Sequence, residues 1–206
     1  MRTAVAIALA ALFVAAPAAD AKHAKPCSRK GSTTVRATRS VRVYQVKNTD
    51  GGHNLIGCLR SNNKRQLLAH GYDDGYVTSG GYDRVKVAGH FVAFEFTAYD
   101  ISCKADCPPG YDPTTVNLYI RDLRKRKTTR VDGEVAPKGR LVLTTGGAIA
   151  WSQNTQTDVE IDAFDAAGRR QLDHGAIPPG SLSLSGNTAS WTNAGQQKSA
   201  TLAPRS

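Results

Sequence analysis

The sequence predicts an all-β protein built from four repeated antiparallel units, and three observations lead there. Apolar residues alternate with polar ones over short stretches, the period of a half-buried strand. The same motif, an alternating strand, a short turn and a second strand ending in an aromatic, returns four times in 206 residues. Helix signals are scarce, with only three glutamates (Glu95, Glu134, Glu160) and no long charged helical face.

In chain order, the first segment reads as an address. Arg2 supplies a positive start, residues 4–16 form an apolar run, Pro17 breaks it, and Ala19-Asp20-Ala21 offers a cleavage site. The run is too short to span a bilayer as a mature helix. Residues 1–21 are therefore expected to be a signal peptide, and residues 22–206 a single secreted or extracytoplasmic domain with no transmembrane segment. Loss of Arg2 and Asp20 together leaves the net charge at +10.

The four units span about 33–69, 83–131, 139–173 and 180–202. "VRATRSVRVY" (35–44), "VKVAGHFVAF" (85–94) and "LSLSGNTASW" (182–191) fit one frame without a gap. "RLVLTTGGAIAW" (140–151) fits with a small one and keeps Gly146 and Gly147 at the turn. Alternation in the second unit buries one face and lets Lys86 and His90 face solvent. Tyr44, Phe94, Trp151 and Trp191 become equivalent positions, expected to wedge adjacent sheets together.

A second hairpin follows in "LIGCLRSNNKRQLL" (55–68), "NLYIRDLRKRKTTRV" (117–131) and "EIDAFDAAGRRQLD" (160–173), with "QQKSATL" left for the fourth unit. Asp122 and Asp165 open two of these turns, where an Asp side chain can bond its own backbone further on.

The turn-Gly-x-x-Val-Ala-Phe/Trp motif, followed by Leu-Tyr-Ile-Arg-Asp-Leu, resembles the blade motif of TolB-type, WD40-like β-propellers. The likeness covers residues 33 to 202 and implies four blade-like units in a small or incomplete β-propeller. No unit carries the Ser-Pro-Asp-Gly turn common in that family, and Arg60 stands where Asp122 and Asp165 do. An open stack or flattened barrel of the same hairpins is the alternative.

Four cysteines outside the cytosol imply disulfides before metals. Of three possible pairings, Cys103–Cys107 is favoured because Pro108-Pro109-Gly110 follows as a tight loop, leaving Cys27–Cys58. No metal site or cofactor is expected. The acids in "YDDGY" (72–76) and "DISCKADCPPGYD" (100–112) lack EF-hand spacing and read as turn residues. His70 and His174, each before a glycine at a unit's end, read as structural.

No nucleophile elbow, P-loop, H-E-x-x-H or S-x-x-K motif is present, and no catalytic residue is assigned. The sharpest exposed feature is the hairpin 121–130, where Arg121, Arg124, Lys125, Arg126, Lys127 and Arg130 crowd around one acid, Asp122. The plainer explanation is edge protection and solubility. The functional one is a docking strip for phosphate or carboxylate polymers. Sequence-specific nucleic-acid reading is disfavoured, because interleaved aromatics are lacking. The polar insertion between Phe96 and Val116 is a second candidate loop. The expected function is a non-catalytic binding or surface scaffold whose partner is an anionic envelope polymer or another exported protein. The alternative is a secreted hydrolase with its site on one propeller face.

Overall fold

Gly89 and Gly186 both take φ +57°, so the two stretches that match in sequence also reverse in the same way. In each, a two-residue turn joins two strands, and only the first turn residue needs positive φ, as in a type II′ hairpin. The computed structural model describes residues 27–75, 78–100, 112–131, 139–155, 157–178 and 180–205. The signal-peptide reading of residues 1–21 and the Cys103–Cys107 pairing lie outside them.

Four antiparallel sheets follow one another along the chain, and no helix occurs among the described residues. The first holds β1 (Ser32–Ala37), β2 (Val41–Lys47), β3 (His53–Leu59) and β4 (Arg65–His70). The second holds β5 (Tyr72–Asp73), β6 (Thr78–Ala88), β7 (Phe91–Asp100), β8 (Thr114–Asp122) and β9 (Lys127–Val131). The third holds β10 (Leu141–Leu143), β11 (Ile149–Asn154), β12 (Val159–Asp165) and β13 (Gly168–Gly175). The fourth holds β14 (Ser183–Ser185), β15 (Thr188–Asn193) and β16 (Gln196–Thr201), the last formed by the short remnant after the final aromatic. Within each sheet every strand pairs with its chain neighbour.

The second sheet is longer than its sequence unit. β6 begins at Thr78, and part of the apparent insertion is ladder, since Thr97, Ala98 and Tyr99 pair with Val116, Thr115 and Thr114. Residues 101–111 of that insertion lie outside the described residues.

Three apolar cores lie between successive sheets. Val43, Leu55, Val92 and Phe94 are shared by the first and second, Leu118, Leu141, Ile149 and Trp151 by the second and third, and Ala150, Ile161, Leu182 and Trp191 by the third and fourth. Alternation lets the middle sheets bury both faces. Phe94, Trp151 and Trp191 thus each face the sheet before their own. Tyr44, with no earlier sheet to face among the described residues, packs with the Cys27–Cys58 disulfide instead. No helix among the described residues is long and apolar enough to cross a membrane.

Candidate functional site

Alternate turns of an antiparallel meander share one end of the sheet, so the turns β1–β2, β3–β4, β6–β7, β8–β9, β10–β11, β12–β13 and β14–β15 collect together. Hydrogen bonds stitch them. The Arg60 amide donates to the Ser40 carbonyl (2.9 Å), the Ser40 hydroxyl to Gly89 (2.8 Å), and the Leu123 amide to His90 (3.1 Å). Beyond the last strand, residues 202–205 run across this end. The Ala203 amide donates to Asp165 (3.0 Å), the Arg205 amide to Gly146 (2.8 Å), and the Arg205 guanidinium sits over the Phe164 ring at 4.1 Å.

The basic hairpin projects from this end, at the edge of the second sheet. Asp122 is buried, and its Oδ1 accepts the amides of Arg124 (2.8 Å) and Lys125 (3.0 Å). The one acid of the turn is thereby committed to shaping it. Arg124, Lys125, Arg126 and Lys127 are exposed, as is Arg130, and none of them enters an ion pair among the described residues. Arg126 closes the turn at φ +58°.

Arg121 differs from the other five predicted residues. It is half-buried, and its guanidinium donates to Gln66 of β4 (3.0 Å) and to Thr128. The Gln66 amide in turn donates to the Leu123 carbonyl (2.5 Å). Arg121 therefore fastens the hairpin to the first sheet.

Two clefts flank the turn. One, about 280 Å³, is lined by Ser61, Asn62, Lys64, Arg124 and Arg126, among others. The second, about 130 Å³, includes Phe91, Asp122, Lys125, Lys127, Thr129 and Arg205. Lys64 and Arg205 are two cations that the hairpin sequence alone does not reveal. His90 Nε2 lies 3.6 Å from Asp122 Oδ1. Burial holds its pKa below the ordinary value, and Arg124 and Lys125 push the same way against Asp122. At neutral pH His90 is an uncharged ring beside the cationic turn.

A separate cleft of about 410 Å³ opens at the opposite end between the first two sheets, with His53, Tyr72, Asp73 and Tyr82 among its walls. Its groups are occupied locally. Asp73 Oδ1 accepts the Gly75 amide (2.9 Å), Tyr82 donates to Gln45 (2.7 Å), and no hydrogen bond or ion pair joins His53 to Asp73. Two further acids of these segments cap turns too. Asp74 accepts the Thr78 amide and Asp112 the Thr114 amide, while Asp106 lies outside the described residues. No group of three or more His, Cys, Asp or Glu placed to hold a metal occurs among the described residues.

No protein-family model and no curated protein matches this chain. The site must be read from its own chemistry.

Proposed function

We propose that the protein is an exported, non-catalytic binding module that docks anionic polymers of the cell envelope on its turn-bearing end. In this reading the four sheets are the blades of a small, incompletely closed propeller. The arrangement of Phe94, Trp151 and Trp191, each directed at the preceding sheet, supports the propeller reading. The Cys27–Cys58 disulfide supports an oxidising, extracytoplasmic compartment.

One observation carries the docking reading. Four consecutive cations, Arg124 to Lys127, are exposed at the tip of a hairpin whose only carboxylate faces inward. Exposed cations attract a polyanion over a Debye length of about 8–10 Å, and the attraction falls as salt rises. Lys64 and Arg205 widen the charged surface on either side.

The test is binding of the mature protein to envelope polymers at low and high salt. Saturable binding is expected, falling steeply with salt and lost when Arg124, Lys125, Arg126 and Lys127 all become Gln. Salt-insensitive binding would point to a protein partner and another surface. No binding at either salt would overturn the reading.

A further inference from the structure

A second concentration of positive charge lies away from the hairpin, where strands β1, β6 and β10 meet. β1 and β10 open the first and third sheets, β6 follows the two-residue β5 in the second, and β6 packs against both of the others. β1 and β6 each carry a cation, and Arg140 stands immediately before β10. Arg36 of β1 donates through Nε to the carbonyl of Val85 (3.4 Å), which places its guanidinium beside Lys86. From the other flank, Arg84 donates to the carbonyl of Gly139, the residue before Arg140. Arg140 itself reaches on to the carbonyl of Gly180 (2.8 Å) and so marks the border of the fourth sheet.

Lys86 sits between them. In the ladder it pairs with Ala93, whose side chain belongs to the core between the second and third sheets, so Lys86 faces the third sheet from which Arg140 comes. Sequence alternation places Lys86 toward solvent, yet it is half-buried. Burial lowers its pKa first, and the charges that lower it further are Arg36, Arg140 and Arg84.

The nearby acids do not neutralise this seam. Glu95 is committed to Arg84 as an ion pair, and Asp83 accepts the Arg84 amide (2.6 Å). Arg36, Lys86 and Arg140 enter no ion pair among the described residues. Three like charges held together by fixed strands repel one another, and an anion between them removes that repulsion.

We propose that the seam formed by Arg36, Lys86 and Arg140 is a binding site for a phosphate group. Two planar guanidinium forks and one ammonium approach from β1, from β6 and from the residue just before β10. A tetrahedral oxyanion offers oxygens in three directions, whereas a carboxylate offers two in one plane. The site is distinct from the hairpin, shares no residue with it, and does not depend on the polymer-docking reading.

Thermal unfolding of the mature protein at fixed ionic strength, with inorganic phosphate replacing chloride, tests it. A saturable rise in Tm with phosphate is expected. Lys86→Gln should weaken the apparent affinity about tenfold, the scale of one charge-assisted hydrogen bond, and Lys86→Arg should keep most of it. Because Lys86 is half-buried, the exposed Arg140→Gln serves as the second variant and should also weaken binding. The fourfold Gln hairpin variant should keep the phosphate response intact, which separates this site from polymer docking. Competition by poly(glycerol phosphate) would identify chain-borne phosphodiesters as the source, and its failure to compete would identify free or terminal phosphate. No rise beyond chloride, or an unchanged midpoint in both Lys86→Gln and Arg140→Gln, would overturn the proposal.

Discussion

Arg84 forms an ion pair with Glu95 across the second sheet, with only 14% and 5% of the two side chains exposed. Arg84 takes φ +46° within a bulge, where the β6–β7 register slips between Asp83 and Lys86. The extra residue turns its side chain along the sheet and on to Gly139 of the next one. A buried pair is costly to break from one side only. Glu95→Gln is expected to lose about 3 kcal/mol in chemical denaturation, and Arg84→Met with Glu95→Leu together should lose clearly less. A double-variant loss equal to the sum of the two single losses would show that the pair is not coupled.

Asp165 fastens the third sheet to the chain's last described residues. Its carboxylate accepts Arg170 (2.6 Å) and the amides of Ala167 (2.9 Å) and Ala203 (3.0 Å). Burial alone would raise its pKa, but Arg170 and the two amides outweigh it and hold the carboxyl below the ordinary value of 3.8. Stability from this group is therefore full above that value and lost as pH falls through the lower, folded one. Asp165→Asn should cost about 2 kcal/mol at neutral pH and flatten the acid limb of a stability-versus-pH curve. An acid limb unchanged by Asp165→Asn would refute this.

Tyr82 should titrate late for a phenol. Burial pushes its pKa up to about 12, and its hydroxyl donates to Gln45 at 2.7 Å. For an acid raised in the folded state, the stabilisation is full below the ordinary value of 10.0 and lost as pH rises through about 12. Phenolate absorbance in an alkaline titration should show one step near that pH, and Tyr82→Phe should remove it.

At the tip of the basic hairpin, Arg126 holds a left-handed conformation at φ +58° that glycine adopts without steric cost. Arg126→Gly is expected to keep the fold and raise stability by about 1 kcal/mol while removing one docking charge. Urea midpoints and polymer affinity should then move in opposite directions.

Reduction of Cys27–Cys58, which closes a separation of 31 residues, should cost about 3–4 kcal/mol on the chain-entropy model. The loss should appear chiefly as exposure of Tyr44, which packs with the disulfide and is fully buried. Tyrosine fluorescence quenching by acrylamide before and after reduction measures it.

Much of the sheet order was legible because each strand carries its own alternation and each hairpin its own turn signal. Gly89 and Gly186 announce their reversals, and Asp122 announces the turn that it caps. What the sequence hid comes from residues distant along the chain. Lys86 reads as a solvent-facing residue because alternation is blind to what the third sheet places opposite. Arg84 gives no bulge signal, since arginine at positive φ is held there by its surroundings. Arg121 looks like its five basic neighbours until Gln66 of another sheet claims it. The final residues, "LAPRS", carry no strand pattern, yet Leu202 is fully buried and Arg205 reaches Thr129 of the second sheet (3.4 Å).

Each sheet comes from one unbroken stretch of chain, and this shapes the kinetics of folding. Pairing within a sheet needs only short loops to close, so low local contact order favours rapid formation of each meander. The sheets can form vectorially, in the order in which the ribosome releases them. During that passage every newly made sheet shows an apolar face until the next one arrives. The second and third sheets, each buried on both sides, are the stages at which an interrupted chain is most exposed to aggregation. Residues 202–205, which follow all four sheets and bind three of them, act as the latch that ends that interval.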